Sequence, residues 1–330
     1  MKISFYEVED WEKPYIRRRL KKHRLKFFEE PLGRENIEKD SDIISVFIYS
    51  KVDSSALRKF RRLKAVVTRS TGFDHIDISE CRKRRVIVSN VPSYGENTVA
   101  EHSFALILAL SRKLPKSIER TSRGNFSTEG LCGFDLKGKT IGIIGLGRIG
   151  QHVAKIAKGF EMKILAVERH PKKELEEKFG LRHVRLNEAL KKSDIITIHC
   201  PLTRSTKHLI NMKNIGLLKR GALLINTARG GIIETEALIY ALNKGILGGL
   251  GLDVLEEEPL IKEEREILSK KYSKNNLKNL IENHILLTFD NVIITPHNAF
   301  NSREALQRIL NTTIENIECI EKGSCKNEVK

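Results

Sequence analysis

The sequence predicts an α/β protein of two domains, each built on a parallel β-sheet. Short apolar runs typical of buried strands alternate with helical or turn segments along most of the 330 residues. One such run, Ile141–Ile144, leads directly into a glycine-rich turn and a helix-compatible stretch that continues to Phe160. This alternation is typical of βαβ units, whose consecutive strands lie parallel. The length is sufficient for two separate hydrophobic cores.

The first 97 residues predict a small parallel sheet. Five apolar runs have the length and composition of strands, and Ser54–Arg61 is predicted as a short helix between two of them. The predicted strands are Lys2–Val8, Leu25–Phe28, Ile43–Tyr49, Ala65–Thr68 and Val86–Val88.

The glycine-rich turn has the pattern of a dinucleotide-binding turn. Gly145 permits a sharp turn, Gly147 permits close approach of a pyrophosphate, and Gly150 permits close packing of the helix on the strand. A second apolar run, Lys163–Val167, ends at Glu168, eighteen residues past Gly150. A carboxylate at that point can accept hydrogen bonds from the adenosine ribose. A glycine turn without a ligand is the less favoured interpretation.

A second α/β series predicts a larger, Rossmann-type doubly wound parallel sheet. Its strands are Ile141–Ile144, Ile164–Val167, Asp194–His199, Ala222–Asn226, Gly249–Asp253 and Val292–Ile294. We assign this domain to residues 99–297 and a smaller, flavodoxin-like α/β domain to 1–98 with 298–330. Thr98 and Glu101 form a predicted capping box that opens a helix to about Leu114. A helix is also predicted after Ser302, with Gly323 at its end.

The charge of the chain leaves two interpretations of its partners. The net charge is +17, and residues 17–24 are almost all basic. A basic cluster is a feature of nucleic-acid binding, but it fits the solvated face of an amphipathic helix equally well. We favour the surface interpretation and expect no nucleic-acid partner. No apolar run approaches the roughly 20 residues of a membrane span, so no membrane partner is expected.

The cysteines and histidines predict neither disulfides nor a metal site. The five cysteines are odd in number and scattered, with no CxxC pair, and the ten histidines show no HExxH spacing. This usage, with an acidic rather than apolar N-terminal segment, predicts a cytoplasmic protein.

Three predicted strands are each followed by charged or titratable residues. Arg229 follows one strand and can bind a carboxylate with two parallel hydrogen bonds. Three carboxylates at 256–258 follow the next strand, and His297 follows the last. Taken alone, the arginine fits a surface salt bridge and the histidine fits a structural role. Their occurrence at the ends of three strands predicts a common site, because ligands bind at the carboxyl ends of parallel strands.

The whole chain resembles the D-isomer-specific 2-hydroxyacid dehydrogenase family, and most closely its D-lactate dehydrogenase branch. The motifs that carry the resemblance are residues 70–77 (STGFDHID), VPSY at 91–94, VAEH at 99–102, GLGRIG at 145–150, NTARGG at 226–231, GLDVLEEEP at 251–259 and TPHNA at 295–299. The resemblance implies NAD-dependent, reversible reduction of pyruvate to D-lactate and a homodimer formed through the cofactor domain.

The resemblance also implies roles for individual residues. Arg229 would bind the substrate carboxylate, His297 would act as general acid and base, and Glu258 would hydrogen-bond His297. The residues alone leave Glu256 and Glu257 open for this last role. Substrate would also contact Thr71, Gly72 and Tyr94, although Tyr94 fits a loop anchor nearly as well. The cofactor residues implied, besides the three glycines and Glu168, are Arg148, Ile149, Cys200, Pro201, Thr206, Thr227, Ala228 and Asp253.

Three questions stay open at this stage. Glu168 stands where the family usually has Asp, and its charge favours NAD, while Arg169 beside it could tolerate NADP. The substrate could instead be glyoxylate, hydroxypyruvate or a branched-chain 2-keto acid. The chain could also be a non-enzymatic NAD(H)-sensing protein.

Overall fold

The computed structural model describes residues 1–33, 35–256 and 274–329. These residues divide into two compact units, which we describe separately. Unit 1 comprises 1–94 and 302–330, and unit 2 comprises 95–301. Each boundary lies four residues from the predicted one (94 against 98, and 302 against 298).

Unit 1 contains a five-stranded parallel sheet in the order β2-β1-β3-β4-β5. This is the order of flavodoxin-like folds. Its strands are β1 (Lys2–Phe5), β2 (Arg24–Phe27), β3 (Ile43–Val46), β4 (Ala65–Thr68) and β5 (Ile87–Ser89). Its helices are α1 (Glu12–Arg19), α2 (Ser54–Leu57) and α3 (Ile78–Lys83), and the C-terminal helix Arg303–Glu321 also belongs to it.

Apolar residues cover both faces of this sheet. One core contains Tyr6, Ile44 and Val66, and the other contains Ile3, Ile43 and Val67 with Ile314 of the C-terminal helix. Neighbouring residues of one strand therefore enter opposite cores, as expected for a parallel sheet covered on both sides.

Unit 2 contains a seven-stranded parallel sheet in the order β12-β11-β10-β9-β6-β7-β8. The order reverses between β6 and β9, which is the switch point of a doubly wound sheet. Its strands are β6 (Thr140–Ile144), β7 (Lys163–Val167), β8 (Leu181–His183), β9 (Ile195–Ile198), β10 (Ala222–Asn226), β11 (Leu247–Leu252) and β12 (Val292–Ile294).

Helices lie on both faces of the larger sheet. They are α4 (Glu96–Ser111), α5 (Leu114–Ser122), α6 (Arg148–Gly159), α7 (Lys173–Phe179), α8 (Leu186–Lys192), α9 (Thr235–Asn243) and α10 (Lys274–Leu287), and the C-terminal helix of unit 1 is α11. One core packs α4 and α6 on the sheet, and the other packs α8, α9 and Leu286 of α10 on the opposite face. None of the helices in the described ranges combines the length and apolar character needed to cross a membrane.

The α/β fold with two parallel sheets is confirmed, with three local differences from the sequence prediction. Helix α4 begins at Glu96 rather than Thr98 and has Gly95 at its N-cap, so the predicted capping box does not open it. It ends at Ser111, and Pro115 lies in the first turn of the separate helix α5. Helix α2 ends at Leu57, short of the predicted Arg61.

Candidate functional site

The glycine turn between β6 and α6 forms an open cradle. Gly145 has φ = +94°, and a Cβ there would lie 2.8 Å from the carbonyl carbon of His199. A Cβ at Gly150 would lie 2.1 Å from the carbonyl oxygen of Gly145. A Cβ at Gly147 would meet no atom within 4 Å, and α6 begins at the next residue. The open space therefore lies at the start of a helix, where N–H groups are available to a phosphate.

Glu168 follows β7 beside this cradle. Its Oε1 accepts a hydrogen bond of 2.5 Å from the N–H of Leu146, which ties the acid to the turn. Arg169 donates through Nη2 to Ser205 Oγ at 2.7 Å. Arg148 is exposed, with its Nη1 3.7 Å from Glu96 Oε1, and Ile149 is half-buried. The carboxylate thus stands at the end of the neighbouring strand, as expected for a ribose-binding acid.

The loop after β9 carries the residues expected on the adenosine side. Thr206 Oγ1 donates to the carbonyl of Pro201 at 2.6 Å and accepts from the N–H of Thr203 at 2.7 Å. Burial raises the pKa of the Cys200 thiol to about 11, so this thiol stays protonated near neutral pH. The hydrogen bonds of Thr206 with Pro201 and Thr203 hold the loop in this conformation.

Arg229, Asp253 and His297 follow three adjacent strands. β10 pairs with β11, and β11 pairs with β12, all parallel. The three residues follow the carboxyl ends of these strands, so they come to the same edge of the sheet. The three strands whose ends were predicted to share a site are therefore adjacent in the described structure.

The turn that carries Arg229 is fixed by Asn226. The Asn226 side chain accepts from the N–H of Ala228 at 3.0 Å and donates to the carbonyl of Arg229 at 2.9 Å. Arg229 Nη1 donates to the carbonyl of Ala228 at 2.7 Å. The hydroxyls of Thr227 and Ser103 lie 3.0 Å apart. Thr227 and Ala228 thus lie on a turn whose backbone is already ordered.

Asp253 holds the turn that carries His297. Its carboxyl is 1% exposed and accepts hydrogen bonds from the N–H groups of Asn298 and Ala299, both at 2.9 Å. It also accepts from Thr295 Oγ1 at 2.5 Å. His297 has φ = +54°, a region that residues with a Cβ seldom adopt. The structure therefore gives Asp253 a backbone-holding function that the sequence did not indicate.

Glu256 is engaged away from His297. Its Oε1 lies 2.6 Å from His208 Nε2, and its Oε2 accepts from Thr235 Oγ1 at 3.0 Å. Both carboxylate oxygens thus have partners, which makes Glu256 a poor candidate for pairing with His297. Glu257 and Glu258 lie outside the described residues, and the predicted role of Glu258 stays a prediction.

The expected substrate residues of unit 1 lie on the loops after β4 and β5. Asn90 Nδ2 donates to the carbonyl of Thr71, and Thr71 Oγ1 donates to the carbonyl of Val91, both at 2.8 Å. Within the described ranges, the N–H groups of Thr71 and Gly72 have no acceptor. The carbonyl of Tyr94 accepts from Arg308 Nε at 2.5 Å. The N–H groups of Thr71 and Gly72 are thus available to an anion.

Two side chains of α4 contact the turns after β10 and β12, and the sequence indicated no role for either. His102 and Ser103 lie on α4, and their hydrogen-bond partners are Thr295 and Thr227 respectively. Their signal in the sequence was the VAEH motif, whose last residue is His102 and which Ser103 follows directly. A metal ion has no evident site, because no group of three or more His, Cys, Asp or Glu side chains within 1–33, 35–256 and 274–329 is placed to hold one.

Comparisons with known proteins agree with this geometry. Residues 104–299 match the family model described as "D-isomer specific 2-hydroxyacid dehydrogenase, NAD binding domain". The chain is 36% identical to 2-hydroxyacid dehydrogenase A of Aspergillus oryzae, over 100% of this chain and 95% of that one. It is 35% identical to glyoxylate reductase of Pyrococcus furiosus, over 92% and 84%. D-lactate dehydrogenase from Aquifex aeolicus, solved with NAD and lactic acid, has a TM-score of 0.87 and 39% identity over 97% and 96%.

Proposed function

Since this chain belongs to the D-isomer-specific 2-hydroxyacid dehydrogenase family, a family of NAD-dependent oxidoreductases that act on a CH–OH group, we propose that it is a D-lactate dehydrogenase. It reversibly reduces pyruvate to D-lactate. The observation that carries the proposal is the placement of Arg229 after β10 and His297 after β12, the two strands that flank β11, at the same edge of the sheet as the glycine cradle.

The cofactor is NAD, and the residues present fit it. The space above Gly147 is open to a pyrophosphate, and Glu168 is placed for the adenosine ribose. Glutamate keeps the negative charge that disfavours a 2′-phosphate. When bound, the nicotinamide supplies or accepts the hydride.

The remaining chemistry falls to side chains of this chain. The Arg229 guanidinium binds the substrate carboxylate and withdraws charge from the neighbouring carbonyl. His297 donates a proton to the carbonyl oxygen as it becomes a hydroxyl, and takes that proton back in the oxidation direction. The N–H groups of Thr71 and Gly72 also bind the carboxylate, and Tyr94 contacts the substrate side chain. Glu258 orients His297.

The choice of pyruvate is supported by the likeness to the Aquifex aeolicus enzyme, whereas the Pyrococcus furiosus relative favours glyoxylate as the alternative. Loss of NADH absorbance with pyruvate, glyoxylate, hydroxypyruvate and 2-ketoisocaproate separates these substrates. The proposal predicts the highest kcat/KM with pyruvate. A higher kcat/KM with another keto acid would make that acid the preferred substrate and leave the enzyme class unchanged. If the protein binds NADH but reduces none of these keto acids, the alternative of a non-enzymatic NAD(H)-sensing protein is favoured.

Replacing His297 by Ala tests the proton donor. We expect kcat to fall about 10²–10⁴-fold, because general acid catalysis contributes about that much. The dissociation constant of NADH should stay within about twofold, since the glycine cradle is untouched. Steady-state rates and NADH fluorescence titration measure the two quantities. An unchanged kcat would remove His297 from the mechanism.

We also propose a homodimer formed through unit 2. Helix α5 buries none of its side chains, and Ile118 is 64% exposed on it. Phe126, a few residues later, is 79% exposed. Exposed apolar side chains of this size are typical of interaction surfaces. A second copy of this chain is the partner that the family resemblance supports.

A cytoplasmic location is proposed from the cysteines. All five are free, and Cys81 is buried. Free cysteines fit a reducing compartment.

A further inference from the structure

We propose that His102 is a positioning residue for His297, acting through Thr295 and Asp253. The proposal rests on the proposed role of His297 as proton donor. It assigns a function to a side chain of α4 that is neither a cofactor nor a substrate ligand. Its basis is a series of hydrogen bonds that ends at the backbone of the turn that carries His297, residues 295–299.

The turn at residues 295–299 is held on both sides of His297. The N–H of Thr295 donates to the carbonyl of Leu252 at 2.8 Å, which continues the pairing of β12 with β11. The N–H of His297 donates to the carbonyl of Thr295 at 2.9 Å. The next two N–H groups bind the carboxylate of Asp253. A left-handed conformation at a residue with a Cβ persists only when its surroundings over-determine it, and Asp253 supplies that constraint.

His102 extends this series of hydrogen bonds from Asp253 and Thr295 to helix α4. Its Nε2 lies 3.1 Å from Thr295 Oγ1 and 3.6 Å from Asp253 Oδ1. The single hydroxyl proton of Thr295 is directed to Asp253. Nε2 of His102 must therefore carry a proton and donate it to the hydroxyl oxygen. His102 thus fixes the rotamer of Thr295 in which the hydroxyl points to Asp253.

Close packing of α4 on β11 places His102 at this position. Gly251 of β11 has no side chain, and a Cβ there would lie 3.1 Å from Leu106 Cβ of α4. Leu106 is buried between the helix and the sheet. His102 lies one turn earlier on the same face of α4, at the level of Asp253, which follows the carboxyl end of β11. The short helix–sheet distance is therefore what brings the imidazole into hydrogen-bond range.

The matched variants His102→Gln and His102→Asn test the hydrogen bond. Gln can present an amide N–H at the position of Nε2, whereas Asn is one methylene shorter and cannot. Exposed His152 on α6 provides the control His152→Asn. We expect His102→Asn to lower kcat 10- to 100-fold, with the KM for pyruvate and the dissociation constant of NADH within twofold of wild type. His102→Gln should restore kcat to within fivefold, and His152→Asn should match wild type.

Amide hydrogen exchange at Asn298 and Ala299 provides a readout that needs no turnover. We expect at least tenfold faster exchange in His102→Asn and near wild-type exchange in His102→Gln. Wild-type exchange and kcat in His102→Asn would overturn the proposal, as would equal loss of kcat in the Gln and Asn variants. Faster exchange with unchanged kcat would overturn the positioning role. If the wild type turns over no keto acid, the proposed function fails, and the exchange rates still decide whether His102 holds the turn.

Discussion

At the scale of single residues, the three glycines of the turn meet three different physical requirements. Gly145 is needed for its backbone conformation, Gly150 for the approach of α6 to the turn, and Gly147 for space that no protein atom fills. Only the last is a requirement of a ligand rather than of the fold. Substitutions at Gly147 and Gly150 can therefore separate the effect on cofactor binding from the effect on folding stability.

Replacing Gly147 and Gly150 by Ala tests this separation. Gly147→Ala should weaken NADH binding about tenfold, equivalent to about 1.4 kcal/mol, with little change in the free energy of unfolding. Gly150→Ala should lower the free energy of unfolding by about 1–3 kcal/mol, because its Cβ overlaps the Gly145 carbonyl. Fluorescence titration with NADH and urea unfolding measure the two effects. Equal destabilisation by both variants would contradict the account.

His199 makes stability depend on pH. Its Nε2 lies 2.8 Å from Thr197 Oγ1, and its Nδ1 is sealed from solvent with no partner in the described part of the chain. Burial lowers the pKa of His199 from 6.5 to about 3. The folded protein therefore keeps this imidazole neutral, while the unfolded chain takes up a proton below pH 6.5. Stability is lost as the pH falls through this window.

We expect His199→Asn to reduce the loss of stability between pH 7 and pH 5 by about 2 kcal/mol, since one pH unit corresponds to about 1.4 kcal/mol. Urea unfolding of wild type and variant at both pH values gives the difference. Other groups titrate equally in both proteins and cancel. The same pH dependence in both would show that His199 is not held neutral.

The residues of the site differ in how far the sequence could predict them. Arg229 and His297 were predicted as site residues because each follows a predicted strand, and the carboxyl ends of parallel strands share an edge. The function of Asp253 could not be found this way, because its partners are backbone N–H groups of a loop. His102 lies in the VAEH motif but was given no role, because its contact with Thr295 joins residues 193 positions apart.

At the scale of elements, the sequence predicted eleven of the twelve strands in the described part of the chain, because each contains a short run rich in apolar residues. It missed β8, a three-residue strand at the end of the sheet whose only buried residue is Leu181. The start of α4 was misplaced because Gly95, which has no side chain for capping, occupies the N-cap. Periodicity thus locates elements, while backbone geometry sets their ends.

Helix α5 is the element on which the homodimer proposal depends. Leu114 and Ile118 are four residues apart and lie on one exposed face. The double substitution Ile118→Asp with Phe126→Asp should convert a dimer into a monomer, because charges would replace the apolar contacts. Light scattering after gel filtration measures the mass, and Glu119→Lys in the same helix controls for charge. A wild-type monomer, or a double variant that stays dimeric, would contradict this interface.

At the scale of the whole molecule, the two units carry different parts of the proposed chemistry. Unit 2 holds the glycine cradle, Arg229 and His297, and unit 1 offers the N–H groups of Thr71 and Gly72. The net charge of +17 suits an anionic substrate and an anionic cofactor, because a positive field raises their local concentration. In the proposed function, Arg229 binds the substrate carboxylate during reduction of the keto group.

The most direct test is the rate of NADH oxidation with pyruvate in wild type and in Arg229→Gln. We expect kcat/KM to fall at least 10³-fold, equivalent to about 4 kcal/mol of transition-state stabilisation. The dissociation constant of NADH should change less than twofold. A variant that keeps wild-type kcat/KM would show that the carboxylate is bound elsewhere and would contradict the proposed site.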